Sequence, residues 1–177
     1  MEAQHIEHTL EPIFDERSRV LVLGTMPSPK SREVGFYYGH PQNRFWRVME
    51  ALFELPSHSL VENDMRRALL LEHHIALWDV LASCTIEGAA DASIVDAIPN
   101  DLTRILDVAP ITHVFTTGGK ATQLCQRMNG DILSARNIAL TGLPSTSAAN
   151  ARMRLDQLVE AYRPIVHAVT AGNCHAK

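Results

Sequence analysis

Short, continuously apolar segments alternate along this chain with segments whose apolar residues recur at helical spacing. The short apolar runs predict buried strands, and the helical spacing predicts amphipathic helices. The predicted strands are 19–24, 75–81, 112–117 and 137–140. The predicted helices are 44–55, 63–73, 120–128 and 152–162, together with a short helix that follows a cap at residue 100 or 101 and ends at residue 108. Pro164 is expected to end or kink the last helix.

The alternation of four strands with helices determines the expected topology. Right-handed βαβ crossovers join parallel strands into a sheet that helices cover on both faces. We therefore predict a single α/β domain over residues 1–177, a three-layer α/β/α structure with a central four-stranded parallel sheet. Residues 1–17 are expected to form an N-terminal extension, residues 83–99 a long loop with one helical turn, and residues 170–177 a frayed tail.

Composition excludes several classes of protein. A length of 177 residues suits one domain with a full core. No apolar run approaches the ~20 residues of a membrane span, and the acidic N-terminus lacks the apolar core of a signal peptide, so we expect a cytoplasmic protein. Cys84, Cys125 and Cys174 form no CxxC pair and the histidines form no HExxH pattern, so we expect reduced cysteines and no metal site.

The charges are distributed unevenly. The net charge is −4, yet residues 17–47 carry six basic residues against one acid, and residues 50–107 carry eleven acids against three basic residues. A basic face on an acidic body is typical of a protein that attracts phosphates on one side. An ordinary solvated surface is the alternative, and charge alone does not decide between them.

Two candidate functional segments follow the first predicted strand. Residues 24–29 (GTMPSP) form a stiff loop at the carboxyl edge of the sheet, because proline cannot extend the strand ladder. Residues 35–46 (GFYYGHPQNRFW) contain three successive aromatic residues, which either pack beneath the loop or offer a stacking face to a base. Asn43 stands where a helix cap belongs, and Phe45 and Trp46 fall on the buried side of the predicted helix.

Two further segments lie at the carboxyl ends of later strands. Asp79 stands near the end of a buried strand, where a carboxylate is costly unless paired. It either accepts a hydrogen bond in a pocket or holds loop amides, and the sequence favours neither. Residues 143–150 (LPSTSAAN) lead into a helix and could donate to a phosphate, with simple capping as the alternative. The Gly118-Gly119-Lys120 turn lacks the spacing of a phosphate loop, so we exclude a nucleoside triphosphate site.

Together, GTMPSPKSREVGFYYGHPQNRFW, LWDVLASC and LPSTSAANA resemble the uracil-DNA glycosylase superfamily, most closely its hypoxanthine-DNA (deoxyinosine) glycosylase branch, over roughly residues 20–150. The resemblance implies a four-stranded parallel sheet between helices. In relatives that act on mismatched uracil or thymine, an Asn that positions water stands at the place of Met26. In the deoxyinosine branch, the asparagine at the position of Asn43 is thought to position the water instead. Uracil-specific relatives often have His where this chain has Leu143, which favours hypoxanthine.

The resemblance also implies roles for individual residues. Asn43 is the expected catalytic residue and orients water, and Asp79 accepts the N1–H of hypoxanthine. The expected base-binding residues are Asp79, Tyr38 or Phe36 as the stacking ring, Thr25 and Met26. The expected DNA-binding residues are Pro27, Ser28, Lys30, Arg32, Arg44, Ser145, Thr146 and Ser147.

The predicted activity is that of a monofunctional DNA-deoxyinosine glycosylase. It flips the base out of the duplex, hydrolyses the N-glycosidic bond and leaves an abasic site, without a cofactor or a metal. The expected partner is double-stranded DNA that contains a deaminated base, with single-stranded DNA as an alternative substrate, and the expected form is a monomer away from membranes. The competing functions are a uracil glycosylase acting on G·U mismatches, a non-catalytic module that binds damaged nucleic acid, and a small-molecule hydrolase.

Overall fold

A computed structural model describes residues 2–171 of the chain. The described residues form the strands β1 (Ala3–Glu7), β2 (Val20–Gly24), β3 (Ile75–Asp79), β4 (Leu81–Glu87), β5 (Val95–Pro99), β6 (His113–Thr117) and β7 (Ala139–Leu143). They also form the helices α1 (Pro29–Val34), α2 (Phe45–Leu52), α3 (Asn63–Glu72), α4 (Thr103–Leu106), α5 (Gly119–Ala135) and α6 (Leu155–Ala171), with one turn of 3₁₀ helix at Asp91–Ser93.

The central sheet is parallel, has four strands and runs in the order β3-β2-β6-β7, as predicted. Strand β2 lies between β3 and β6 and is fully buried, which explains its uninterrupted apolar sequence. In the register, Val20 pairs with both Ile75 and His113, and Gly24 pairs with Asp79. The carboxyl ends of β2, β3 and β6 therefore meet at one edge of the sheet, where open α/β sheets bind their ligands.

A second sheet was not predicted. Residues 83–99 were expected to form a loop, but β4 and β5 occupy most of this stretch, and β1 from the expected N-terminal extension pairs with β4. The resulting antiparallel sheet has the order β1-β4-β5. Two register shifts between β4 and β5 interrupt the regular alternation, which hid these strands from a search for strict period-2 patterns.

The helices also differ from the prediction at several ends. Helix α1 was not predicted; Ser28 caps it by accepting the Ser31 backbone N–H at 3.1 Å, and Pro29 occupies its first turn. Helix α6 continues past Pro164, because its buried stripe extends to Ile165 and Val169 and packing outweighs the break. Most of the tail expected at residues 170–177 lies outside the described residues.

Candidate functional site

A cavity of about 160 Å³ opens at the carboxyl edge of the parallel sheet. We call it the sheet-edge cavity. It is lined by Ile6, Gly24, Thr25, Met26, Pro27, Ser28, Ser31, Tyr37, Tyr38, Asn43, Asp79, Ile86, Gly88, Ala89, Asp91, Thr117, Ser145, Thr146 and Ser147. The structure thus brings together ten of the fourteen residues expected at the site, and it adds residues of the unpredicted antiparallel sheet.

Asn43 lies two residues before the start of helix α2 and lines the cavity. Its Oδ1 atom accepts the backbone N–H of Phe45 at 2.9 Å and the hydroxyl of Thr146 at 2.9 Å. The backbone donor fixes the orientation of the amide, because an N–H can only meet the carbonyl oxygen. The Nδ2 amino group has no protein partner among residues 2–171, so it is the part of the side chain available to a ligand in the cavity.

Asp79 is a buried carboxylate at the end of β3. Its Oδ2 atom accepts a hydrogen bond from Nε2 of His8 at 2.8 Å, which supplies the partner that a buried charge requires. Its Oδ1 atom lies against Gly24, where a Cβ atom would approach it to 2.4 Å. No signal in the sequence points to His8, since it follows a strand of the unpredicted sheet.

Tyr38 presents an aromatic ring to the cavity. The ring stacks on Phe45 with centroids 3.9 Å apart, and its hydroxyl is 2.9 Å from Oγ1 of Thr117. These contacts hold the residue at a φ of 52°, a left-handed conformation that is costly for a tyrosine. Burial, followed by the charge of Asp79, raises the pKa of Tyr38 well above its usual range, so the hydroxyl stays neutral.

Phe36 was the alternative stacking residue, and the structure contradicts that expectation. Its ring is 4% exposed and lies in the core, with its centroid 5.9 Å from that of Trp46. It does not line the sheet-edge cavity. Phe45 and Trp46 are buried, as predicted.

The loop from Ser145 to Asn150 forms another wall of the cavity. Oγ of Ser145 accepts the backbone N–H of Ser147 at 3.2 Å, and Nδ2 of Asn150 donates to the Ser145 carbonyl at 2.9 Å. Thr146 was expected to contact DNA, but it is 1% exposed and its hydroxyl donates to Asn43. We therefore reassign it from DNA contact to positioning of that amide.

Arg44 was expected to counter a phosphate, but its guanidinium group is engaged within the protein. It donates to the carbonyl oxygens of Thr146, Ser147 and Asn150 at 3.4, 2.9 and 2.9 Å, and also to that of Met153. Because these bonds use most of its donors, Arg44 fastens the 145–153 segment to helix α2 instead of facing solvent.

The two other expected cations, Lys30 and Arg32, lie on helix α1, directly after the cavity-lining Pro27 and Ser28. Neither lines the cavity itself. Lys30 is partly exposed and forms an ion pair with Glu33 at 2.9 Å. Arg32 is half-buried, and its Nε atom has no hydrogen-bond partner in the described part of the chain.

A second carboxylate, Asp91, reaches the cavity from the 3₁₀ turn. Its Oδ2 atom accepts a long hydrogen bond of 3.4 Å from the Thr25 hydroxyl. Burial raises the pKa of Asp91, because desolvation disfavours the charged carboxylate. The hydrogen bond from Thr25 and the charge of Lys120 lower that pKa and partly offset the effect. No local pattern in the sequence points to Asp91, because it lies in the stretch that was expected to be a loop.

The two cysteines that the structure describes are not part of the sheet-edge cavity lining. Cys84 and Cys125 are free and buried, and burial raises the pKa of the Cys125 thiol to about 11. Cys174 lies outside the described residues. Within residues 2–171, no cluster of three potential metal ligands occurs and no helix is long and apolar enough to cross a membrane.

Comparisons with known proteins show which family the chain belongs to. A family profile described as "Uracil DNA glycosylase superfamily" matches residues 11–166. A "Hypoxanthine DNA glycosylase" from Methanosarcina barkeri (strain Fusaro / DSM 804) is 32% identical over 141 residues, which make up 80% of this chain and 86% of that protein. A protein of the same name from Methanosarcina acetivorans is 30% identical over 153 residues, which make up 83% of this chain and 90% of that protein.

A solved structure extends the likeness to the fold. The solution NMR structure of a Methanosarcina acetivorans protein with a provisional uracil DNA glycosylase designation superimposes with a TM-score of 0.77 at 26% identity. The match covers 93% of this chain and 99% of that chain. With the family profile spanning most of its length, this chain belongs to the uracil DNA glycosylase superfamily.

Proposed function

We propose that this protein is a monofunctional DNA glycosylase that removes hypoxanthine from DNA. The observation that carries the proposal is the pairing of Asn43 and Asp79 in one cavity at the carboxyl edge of the sheet. One offers an amide N–H and the other offers carboxylate oxygens. The two Methanosarcina relatives that carry the hypoxanthine name support the choice of base.

The carboxylate of Asp79 supplies the base selectivity in this proposal. Hypoxanthine carries a hydrogen at N1, which Asp79 can accept, whereas adenine has a lone pair there. Adenine would leave the buried carboxylate facing a second acceptor, and an unpaired buried acceptor costs about 1–3 kcal/mol or more. Tyr38, whose ring is supported from behind by Phe45, forms the stacking face for the extruded base.

Bond cleavage follows a dissociative course. The C1′–N9 bond breaks with its electron pair moving to the purine, and the sugar becomes an oxocarbenium-like cation. Water adds at C1′ and loses a proton, which balances the charge of the departing purine anion, so the products are neutral hypoxanthine and an abasic sugar. Such a transition state needs preorganised dipoles more than a strong nucleophile. The Nδ2 group of Asn43 orients the water by donating to its oxygen, since Oδ1 is already used by Phe45 and Thr146.

The cavity lining, all of it within residues 2–171, contains no lysine to form a Schiff base with the sugar, which agrees with hydrolysis alone. The proposal includes duplex DNA as the substrate and a monomer as the active form. The loops of Pro27 and Ser28 and of Ser145 and Ser147 stand at the cavity on two sides, where the backbone flanking a flipped nucleotide would pass.

The test is single-turnover base release from matched duplexes that contain hypoxanthine, uracil or only normal bases, with the single-stranded hypoxanthine oligonucleotide as a further arm. We expect hypoxanthine release from the duplex, with strand cleavage only after alkali. Asn43→Ala should lower the rate about 10²–10³-fold. Faster release of uracil than of hypoxanthine would replace the proposed substrate, and binding without any release would indicate a non-catalytic module.

A matched control separates catalysis from support of a helix start, because Asn43 is placed to do both. Asp101 accepts the backbone N–H of Thr103, the first residue of α4, at 3.0 Å and does not line the cavity. Asp101→Ala should lower stability by removing this acceptor and should leave the rate unchanged. If Asn43→Ala and Asp101→Ala lowered the rate equally, Asn43 would have only a structural role.

A further inference from the structure

The histidine that bonds Asp79 is delivered by the antiparallel sheet. His8 follows β1, and its backbone N–H donates to the Ala82 carbonyl at 2.8 Å. The His8 and Asp79 side chains are only 2% and 6% exposed, and Nε2 and Oδ2 are 2.8 Å apart. An ionised carboxylate has no proton to give, so the imidazole Nε2–H is the donor.

Other polar groups around Asp79 do not take the place of His8. Tyr37 and Tyr38 face it from the loop before α2, and Asp91 faces it from the 3₁₀ turn. The hydroxyl of Tyr37 donates to the Glu11 carbonyl at 2.8 Å, that of Tyr38 bonds Thr117, and Asp91 carries the same charge as Asp79. Within residues 2–171, His8 is therefore the hydrogen-bond donor to the Asp79 carboxylate.

The orientation of the Asp79 carboxylate decides how well the purine edge is read. While His8 holds Oδ2, Oδ1 remains to accept the N1–H of hypoxanthine and to repel the N1 lone pair of adenine. Without that donor the carboxylate could turn about its Cβ–Cγ bond, and the distance from Oδ1 to the base would no longer be fixed.

We propose that His8 is a positioning residue that determines specificity: by donating to Oδ2, it holds the Asp79 carboxylate in place and leaves Oδ1 to read the base. This inference rests on the proposed function. His8 does not line the cavity and so acts on the base only through Asp79. His8, which directly follows the N-terminal strand and lies outside the motifs quoted above, thereby contributes to the choice of base.

The test compares His8→Leu, His8→Gln and the control His5→Leu with wild type. His5 lies on β1, is exposed and pairs across the sheet with Thr85. Single-turnover release is measured on duplexes with hypoxanthine or adenine at one position. In His8→Leu, the hypoxanthine-to-adenine ratio of the release rates should fall about tenfold.

The two other variants sharpen this result. His8→Gln keeps an N–H donor of similar reach and should restore most of the ratio, and His5→Leu should match wild type. In an Asp79→Ala background, His8→Leu should change the ratio no further, since no carboxylate remains for His8 to position. A role in folding alone would cost the same in both backgrounds and would overturn the inference.

The outcomes separate this inference from the function beneath it. A wild-type protein that releases no hypoxanthine overturns the proposed function and the inference together. A wild-type protein that releases hypoxanthine, with His8→Leu showing the same ratio, overturns the role of His8 alone. If His8→Leu fails to fold, His8→Phe takes its place in the comparison, because it removes the donor, keeps a planar ring and should lower the ratio by the same factor.

Discussion

The hydroxyl of Thr146 donates to Oδ1 of Asn43 across a distance of 2.9 Å, although 102 residues separate them along the chain. Asn43 also receives the backbone N–H of Phe45, so its carbonyl oxygen is held by one local and one distant donor. Because both donors bond Oδ1, the Nδ2 group is the end of the amide that remains to donate to a ligand. The loop after β7 thus helps to orient the amide that lies before α2.

Thr146→Val tests this relationship with a change of almost no volume. Removing the hydroxyl leaves Oδ1 with only the Phe45 N–H as a donor, so the amide is held less firmly, and we expect base release to slow about tenfold, less than in Asn43→Ala. Thr112→Val is the control, because its hydroxyl bonds the Arg19 carbonyl and it does not line the cavity. Single-turnover rates on the hypoxanthine duplex measure the effect, and an unchanged rate in Thr146→Val would show that Asn43 is oriented without this bond.

Gly24→Ala should damage the site without removing any functional group. The new Cβ would come within 2.4 Å of Asp79 Oδ1 and 3.1 Å of the Tyr38 hydroxyl, so the carboxylate must move. We expect hypoxanthine release to fall at least tenfold and its selectivity over adenine to weaken. Gly130→Ala, where nothing lies within 4 Å, should leave the rate unchanged and stabilise helix α5 by about 0.5–1 kcal/mol. Wild-type kinetics in Gly24→Ala would contradict the position of Asp79 described above.

Arg44→Ala should affect stability more than DNA binding. It leaves carbonyl oxygens of the 145–153 segment without their donor, which we expect to lower the free energy of unfolding by about 2 kcal/mol or more. Denaturant unfolding measures that loss. Duplex binding is measured in the Asn43→Ala background as the slope of the logarithm of the binding constant against the logarithm of the salt concentration. Adding Arg44→Ala should leave this slope unchanged, and adding Lys30→Ala should reduce its magnitude by about one. The reverse pattern would restore Arg44 as a phosphate contact.

Asp91 should make the protein less stable as pH rises. Its pKa is raised in the folded protein, mainly by burial of the carboxyl group, so the folded state binds more protons than the unfolded state just above the ordinary value of 3.8. Stability is lost as pH rises through the pKa of the folded state. Because Asp91 as a whole residue remains exposed to solvent, the loss of stability is smaller than it would be for a fully buried carboxyl group.

Asp91→Asn should therefore be more stable than wild type near neutral pH, and the difference should vanish below about pH 3.8. Denaturant unfolding at both pH values measures it. Asp96→Asn is the control, because Asp96 is exposed and bonds the Thr85 hydroxyl in the same region. A stability gain in Asp91→Asn that persists at acid pH would contradict the assigned cause.

The sequence predicted the parallel sheet because burial on both faces leaves a plain local signature. Strand β2 has no polar side chain, since β3 and β6 flank it and helices cover it. The antiparallel sheet left no such signature. Strand β4 is stabilised by β1, about 80 residues away, and by β5 across two register shifts, so its stability arises from pairing that no local window contains.

By itself, the sequence determined the chemistry available at the sheet edge: Asn43 before a helix, Asp79 at the end of a strand, and the serine-rich loop at residues 145–147. These follow from chain position, because strand ends and helix starts are local events. Only the tertiary structure decided what each group does. It turned Arg44 and Thr146 inward, placed Phe36 in the core and brought His8 to Asp79, because hydrogen-bond partners distant in sequence meet only when the two sheets pack together.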